Sequence, residues 1–178
     1  MNTPTVAEMT QRVRGFSLIE LLVAVAVLAI ITTLAFPAFQ ATRDGARVRA
    51  ATEAVYSQMQ FARSESVKQN RDLFVAITAG ANWCVGISNA TGCACGTAGS
   101  CQYGPAAALA ENNVRAENFS GVSLAATQAE LQIDSRRGGT ATSTTLTLTG
   151  GSSKEGRVTI TPLGRVSICG NVGGYASC

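Results

Sequence analysis

The chain has 178 residues, 46% of them hydrophobic, with a net charge of +3, six cysteines and no histidine; that length accommodates one domain plus a membrane or targeting element. The missing histidine removes the commonest general base and metal ligand, and a nearly neutral remainder behind Arg12 and Arg14 gives no electrostatic case for bulk nucleic-acid binding. No serine nucleophile motif and no carboxylate pair stands in a catalytic setting, so no catalytic residue, cofactor or metal is assigned.

Residues 1–14 are polar, and Arg12 and Arg14 immediately precede an apolar run. Basic residues in that place hold the N-terminal side in the cytoplasm and send the rest of the chain across the membrane. From Phe16 to Phe36 the only ionisable side chain is Glu20; as a helix, about 21 residues at ~1.5 Å each reach roughly 30 Å, one hydrocarbon thickness. An acid inside such a span costs roughly 2.5–3.5 kcal/mol at its centre and less near an end, so Glu20 calls for a partner. A secretory signal peptide cut near Ala35-Phe36-Pro37-Ala38 is the rival reading, and both Glu20 and the length of the run argue against it. Pro37, which lacks an amide hydrogen, predicts a kink.

Beyond it, residues 41–68 read as an amphipathic helix: Val48, Ala51, Val55, Met59, Ala62 and Ser66 recur at spacings of three and four. Arg43, Asp44, Arg47, Arg49, Glu53, Arg63, Glu65 and Lys68 form the solvated surroundings, Gly45 weakens the helix locally, and Gln69-Asn70 marks its end. From residue 73 the pattern changes to short strands over 73–78, 83–88, 122–124, 130–133, 144–149, 157–161 and 165–169. Two of these, 144–149 and 157–161, alternate strictly, as strands with one buried face do. A long irregular stretch runs from Ser88 to Phe119. The six cysteines, Cys84, Cys93, Cys95, Cys101, Cys169 and Cys178, all come after the apolar run, and an even number in an exported small domain predicts disulfides. Fifteen connectivities are open to six cysteines. A zinc site at Cys93, Cys95 and Cys101 is the weaker alternative, because the spacing is not a paired C-x2-C and no histidine is available.

The residues Arg14-Gly15-Phe16-Ser17-Leu18-Ile19-Glu20-Leu21-Leu22-Val23 closely resemble the prepilin motif of type IV pilins and type II secretion pseudopilins. The resemblance implies cleavage by a prepilin peptidase after Gly15, N-methylation of the new terminal Phe16, and a role for Glu20 in meeting the terminal amine of a neighbouring subunit during assembly. Such a pair in a low-dielectric bundle sets register, since an axial slip leaves both charges unpaired. The resemblance also makes Pro37 the place where the helix bends or melts on packing.

Gln58-Met59-Gln60-Phe61-Ala62-Arg63-Ser64-Glu65-Ser66-Val67 is similar to the Q-x-A-R-S-E-A stretch of the FimT/FimU and GspH-like minor pilins, with Ser66 where alanine is usual. The implied fold is α+β: a long N-terminal helix, half membrane-spanning and half amphipathic, packed against a small antiparallel β-sandwich-like head. The expected organisation is a cleaved leader over 1–15, an assembly helix over 16–39, an amphipathic helix over 40–70 and a disulfide-stapled head over 71–178. A frequent C-terminal disulfide of this family implies that Cys169 pairs with Cys178, and Cys84, Cys93, Cys95 and Cys101 stay unassigned.

DNA-binding FimT members carry Gly-Arg-x-Arg near the C terminus, where Gly164-Arg165-Val166-Ser167 has lost the second arginine. Arg136, Arg137, Arg157 and Arg165 are the candidate DNA contacts, and solvated strand and turn arginines are the favoured reading of them. The expected function is that of a minor type IV pilin in the pilus or its initiation complex, supporting twitching motility and adhesion. A GspH-type secretion pseudopilin and a DNA-capturing tip subunit are the alternatives. The implied partners are major and minor pilins, the prepilin peptidase and the inner-membrane assembly platform. The implied location is the bacterial inner membrane, single-pass with the head periplasmic, and then the filament.

Overall fold

The computed structural model describes residues 15–178, except for the side chains of Leu34, Pro37 and Ala38. The expected leader therefore lies outside the described residues apart from Gly15. One helix, α1 (Leu18–Gln69), is followed by β1 (Leu73–Thr78), β2 (Cys84–Ser88), β3 (Asn113–Arg115), a 3-10 turn (Ala116–Asn118), β4 (Ser123–Ala126), β5 (Glu130–Ile133), β6 (Thr144–Thr149), β7 (Glu155–Ile160) and β8 (Val166–Gly170). The chain separates into two compact units with their boundary after Phe39.

In the first unit the helix opens on Ser17, whose carbonyl accepts from the Leu21 amide at 3.2 Å. Glu20 stands in the first turn, where the exposed amides and the helix dipole favour a carboxylate. The described large apolar side chains from Phe16 to Phe36 are half or more exposed. The hydroxyls of Thr32 and Thr33 are satisfied within the helix, donating to the Ala29 and Ile30 carbonyls at 2.9 and 2.8 Å, which makes them tolerable in an apolar run. Helical structure continues through Pro37, and the side-chain basis for the expected kink lies outside the described residues.

The second unit holds the core. Val48, Ala51, Val55, Met59 and Ala62, the apolar stripe of α1, are fully buried against strand residues such as Leu73, Ile133, Leu146 and Ile160. Each sheet is antiparallel and four-stranded, in the orders β3-β2-β1-β5 and β4-β6-β7-β8. The alternation of β6 and β7 sends Leu146, Leu148, Val158 and Ile160 inward. Close approach of helix and sheet is set by Gly156 in β7: a Cβ there would collide with the Thr52 hydroxyl and lie 3.1 Å from Thr52 Cβ and Cγ2.

The helix ends in a Schellman arrangement. Asn70 takes the left-handed conformation at φ 48°, its amide bonds the Val67 carbonyl, and the Arg71 amide bonds the Ser66 carbonyl, each at 3.2 Å. This is the physical content of the Gln69-Asn70 stop.

The stretch from Ser88 to Phe119 is more ordered than its composition suggests. It contains β3, which pairs with β2 through Cys84↔Arg115 and Val85↔Val114, and the Cys93–Cys101 disulfide, and Cys95 ties it to Cys84 of β2. Cys84, Cys95 and Cys101 form a small second core with Ala76, and Gly86 leaves room for it, since a Cβ there would sit 2.7 Å from Cys95 Cβ. The third disulfide, Cys169–Cys178, draws the C-terminal tail back onto the fold. Val172, inside the loop that this disulfide closes, is buried in the main core, and the Gly170 amide donates to the Ala176 carbonyl at 2.9 Å.

Candidate functional site

Two regions carry the residues singled out by the sequence. In the first, Phe16, Glu20, Ala24 and Leu28 fall on one helical face and line a shallow apolar groove together with Leu21 and Val25. Phe16 is 82% exposed. No described residue forms an ion pair with Glu20. The Glu20 carboxylate thus stands one turn from Phe16, in an apolar groove and without a counter-charge among the described residues. Gly15, just ahead, has open space around its α-carbon. Among the described residues no helix is long and apolar enough to cross a membrane.

The second region lies in the second unit, at the Gln69 end of the helix, where the β5–β6 and β7–β8 turns meet. Thr140 N donates to the Pro162 carbonyl at 3.3 Å, and a Cβ on Gly164, whose φ is +76°, would strike the Gly138 carbonyl. These contacts bring the backbone at Arg137 and Arg165, each next to one of those glycines, close together; both side chains, and that of the neighbouring Arg136, are exposed. Arg157 is elsewhere: it sits on the outward face of β7 opposite Cys169 and Thr147 and pairs with Glu155.

Asp72 fixes the first turn. It accepts from the Ser135 amide at 2.9 Å and the Gln132 side chain at 2.8 Å, and the Ser135 bonds, then the Gln132 bond, hold its carboxyl below the usual range. Asp134 Oδ1 accepts from the Arg136 amide at 2.7 Å.

A residue that the periodicity places among the solvated side chains turns out to organise this region. Arg63 is half-buried, its stem and guanidinium wedged against both turns: a Cβ on Gly138 would lie 2.8 Å from Arg63 Cγ, and one on Gly164 2.9 Å from Arg63 Nε. The rest of its motif is also built into the fold. Gln58 donates to the Asn112 carbonyl, Glu65 pairs with Lys68 at 3.3 Å, and the Ser66 hydroxyl lies 2.9 Å from the Arg71 carbonyl and 3.2 Å from that of Ile133. The signal available in the sequence was the motif itself, but its contacts are too distant along the chain to be read from it.

Comparison with known proteins agrees with this architecture. The family model for the type II transport protein GspH matches residues 51–164, and the prokaryotic N-terminal methylation motif matches residues 10–36. Two crystal forms of the type IV minor pilin FimU of Pseudomonas aeruginosa are similar in fold. One is 17% identical with a TM-score of 0.50, covering 68% of this chain and 87% of that one; the other is 19% identical with a TM-score of 0.48, covering 67% and 90%. No curated protein matches the chain significantly. A GspH match over well more than half of the chain, behind a methylation-type N terminus and on a helix packed against antiparallel sheets, establishes that this chain belongs to the GspH family of pilin and pseudopilin subunits.

Proposed function

We propose that the chain is a minor type IV pilin: it is cleaved after Gly15, methylated on Phe16, and enters the pilus or its initiation complex through the apolar helix, with Glu20 meeting the terminal amine of a neighbour. The observation that carries this reading is the Phe16–Glu20 groove, an apolar and exposed face whose acid lacks a counter-charge among the described residues. A single membrane pass before assembly is supported by the apolar sequence from Leu21 to Phe36, in which Thr32 and Thr33 are the polar residues and none is charged. Arg12 and Arg14 ahead of it favour a periplasmic head. The partners are other pilins, the prepilin peptidase and the inner-membrane assembly platform.

The test is recovery of pilin partners from an envelope fraction by the wild-type chain and by Glu20→Ala. Loss of partners with processing intact is the expected result, and unchanged recovery would sink the role given to Glu20. The GspH match favours a second reading, a type II secretion pseudopilin. Co-purification with a secretin and secretion ATPase rather than with pilus subunits would select it.

A further inference from the structure

The arginine-bearing end of the second unit has a composition that neither filament reading uses. Arg63, Arg137 and Arg165 converge there from the helix and two turns, with Arg136 adjacent, and no ion pair among the described residues involves any of the four. Of the two nearby acids, Asp134 accepts the Arg136 amide, and Asp72 accepts the Ser135 amide and also feels the Arg136 charge, so four arginines face two carboxylates. Two residues before Arg165 the β7–β8 turn lifts Leu163 into solvent at 87% exposure, the highest of any described large apolar residue outside the apolar helix segment, and Leu163 shares one cleft with Arg137, Pro162, Asp72 and Asp134. An exposed leucine on a surface region where four arginines outnumber two aspartates fits an interface better than a solvated turn.

We infer that this surface docks an acidic segment of a partner protein, with carboxylates on the arginines and an apolar side chain over Leu163. A second copy of this chain offers little to meet it. Of the acids in residues 40–178, five are in ion pairs and Asp72, Glu130 and Asp134 accept backbone amides, which leaves Glu117. A nucleic acid would satisfy the arginines through phosphates but gains nothing specific from Leu163, whereas a protein partner buries it. The wedge of Arg63 between Gly138 and Gly164 fixes the spacing of the two turns, so the surface is formed before the partner arrives. The inference holds for either filament type.

The test uses the full chain in detergent micelles and two fluorescent probes, a short peptide alternating glutamate and leucine and a DNA duplex. The peptide is expected to bind in a salt-dependent way. The Arg63→Met, Arg137→Gln, Arg165→Gln triple variant loses at least ~10-fold in affinity, while Arg157→Gln, outside the cluster, binds as wild type. Arg63→Met keeps the packed stem, and Leu163→Ser, on a fully surface side chain, weakens the peptide by about threefold without touching a charge. The inference is overturned if the peptide does not bind at about millimolar concentration, if the triple variant or Leu163→Ser binds it unchanged, if Arg157→Gln weakens it as much as the cluster does, or if the duplex binds more tightly than the peptide.

Discussion

Tyr175 lies over the tail's contact with the helix. Arg49 sits 5.8 Å from its ring centroid and bonds Glu53 through Nε at 2.8 Å. Burial first, and the Glu53 charge second, push the Tyr175 hydroxyl up to about 12, against the opposing effect of Arg49. A raised folded-state pKa means that the folded chain prefers the neutral phenol. That contribution to stability is complete below the ordinary tyrosine value of about 10 and is lost as pH rises through about 12. Tyr175→Phe is expected to remove the latest component of the tyrosinate absorbance titration and to flatten the stability loss in that window; a late component that survives the substitution would contradict the docked tail. At Gly156, alanine has to displace Thr52 from the sheet, and overpacking of this kind costs about 1–3 kcal/mol. Urea denaturation of Gly156→Ala measures it. Ser66→Ala, which restores the alanine usual in the family pattern, removes a buried donor aimed at two carbonyls and is expected to cost about 1 kcal/mol rather than to be neutral.

At the scale of elements, the three disulfides differ in access. Cys84 and Cys95 are buried at 2% and 0% exposure, whereas Cys178 is exposed and Cys169 half-buried. Thiol exchange depends on access to a sulfur, so graded reduction of the folded chain followed by alkylation and mass spectrometry should open Cys169–Cys178 first and Cys84–Cys95 last. Replacing Cys169 and Cys178 with serine removes a crosslink across nine residues, worth roughly 2–3 kcal/mol by loop entropy. Strands such as Thr144–Thr149 were legible because their alternation is dictated by one buried face. β3 was not: Asn113-Val114-Arg115 is three residues long, half-buried throughout, and held by its pairing with β2 rather than by its own pattern. The helical stripe from Val48 to Ser66 was legible at every position because burial repeats with the helix, yet the place of Arg63 was not, since hydropathy periodicity has no way to register two glycine turns arriving from distant strands. The pairing among Cys84, Cys93, Cys95 and Cys101 was likewise closed to sequence, because it depends on how the loop after β2 folds back over Gly86.

For the molecule as a whole, the buried core and the exposed apolar surface lie in different parts of the chain. The buried apolar core runs from Val48 to Val172 and falls entirely in the second unit. The first unit instead exposes Phe16, Leu18, Ile19 and the apolar side chains after them, a patch far larger than a soluble monomer leaves uncovered. Removing residues 1–39 should therefore delete the driving force for self-association while leaving the cooperative fold in place. The expected result is a monodisperse monomer by light scattering, with a melting temperature within a few degrees of that of the detergent-solubilised full chain, since a core loss of even ~1 kcal/mol would move it by about 2–4 °C in a domain of this size. The full chain without detergent should elute as large aggregates under the same conditions. A truncated chain that fails to fold, or that aggregates like the full one, would mean that the apolar segment contributes to the head's stability and is not reserved for assembly.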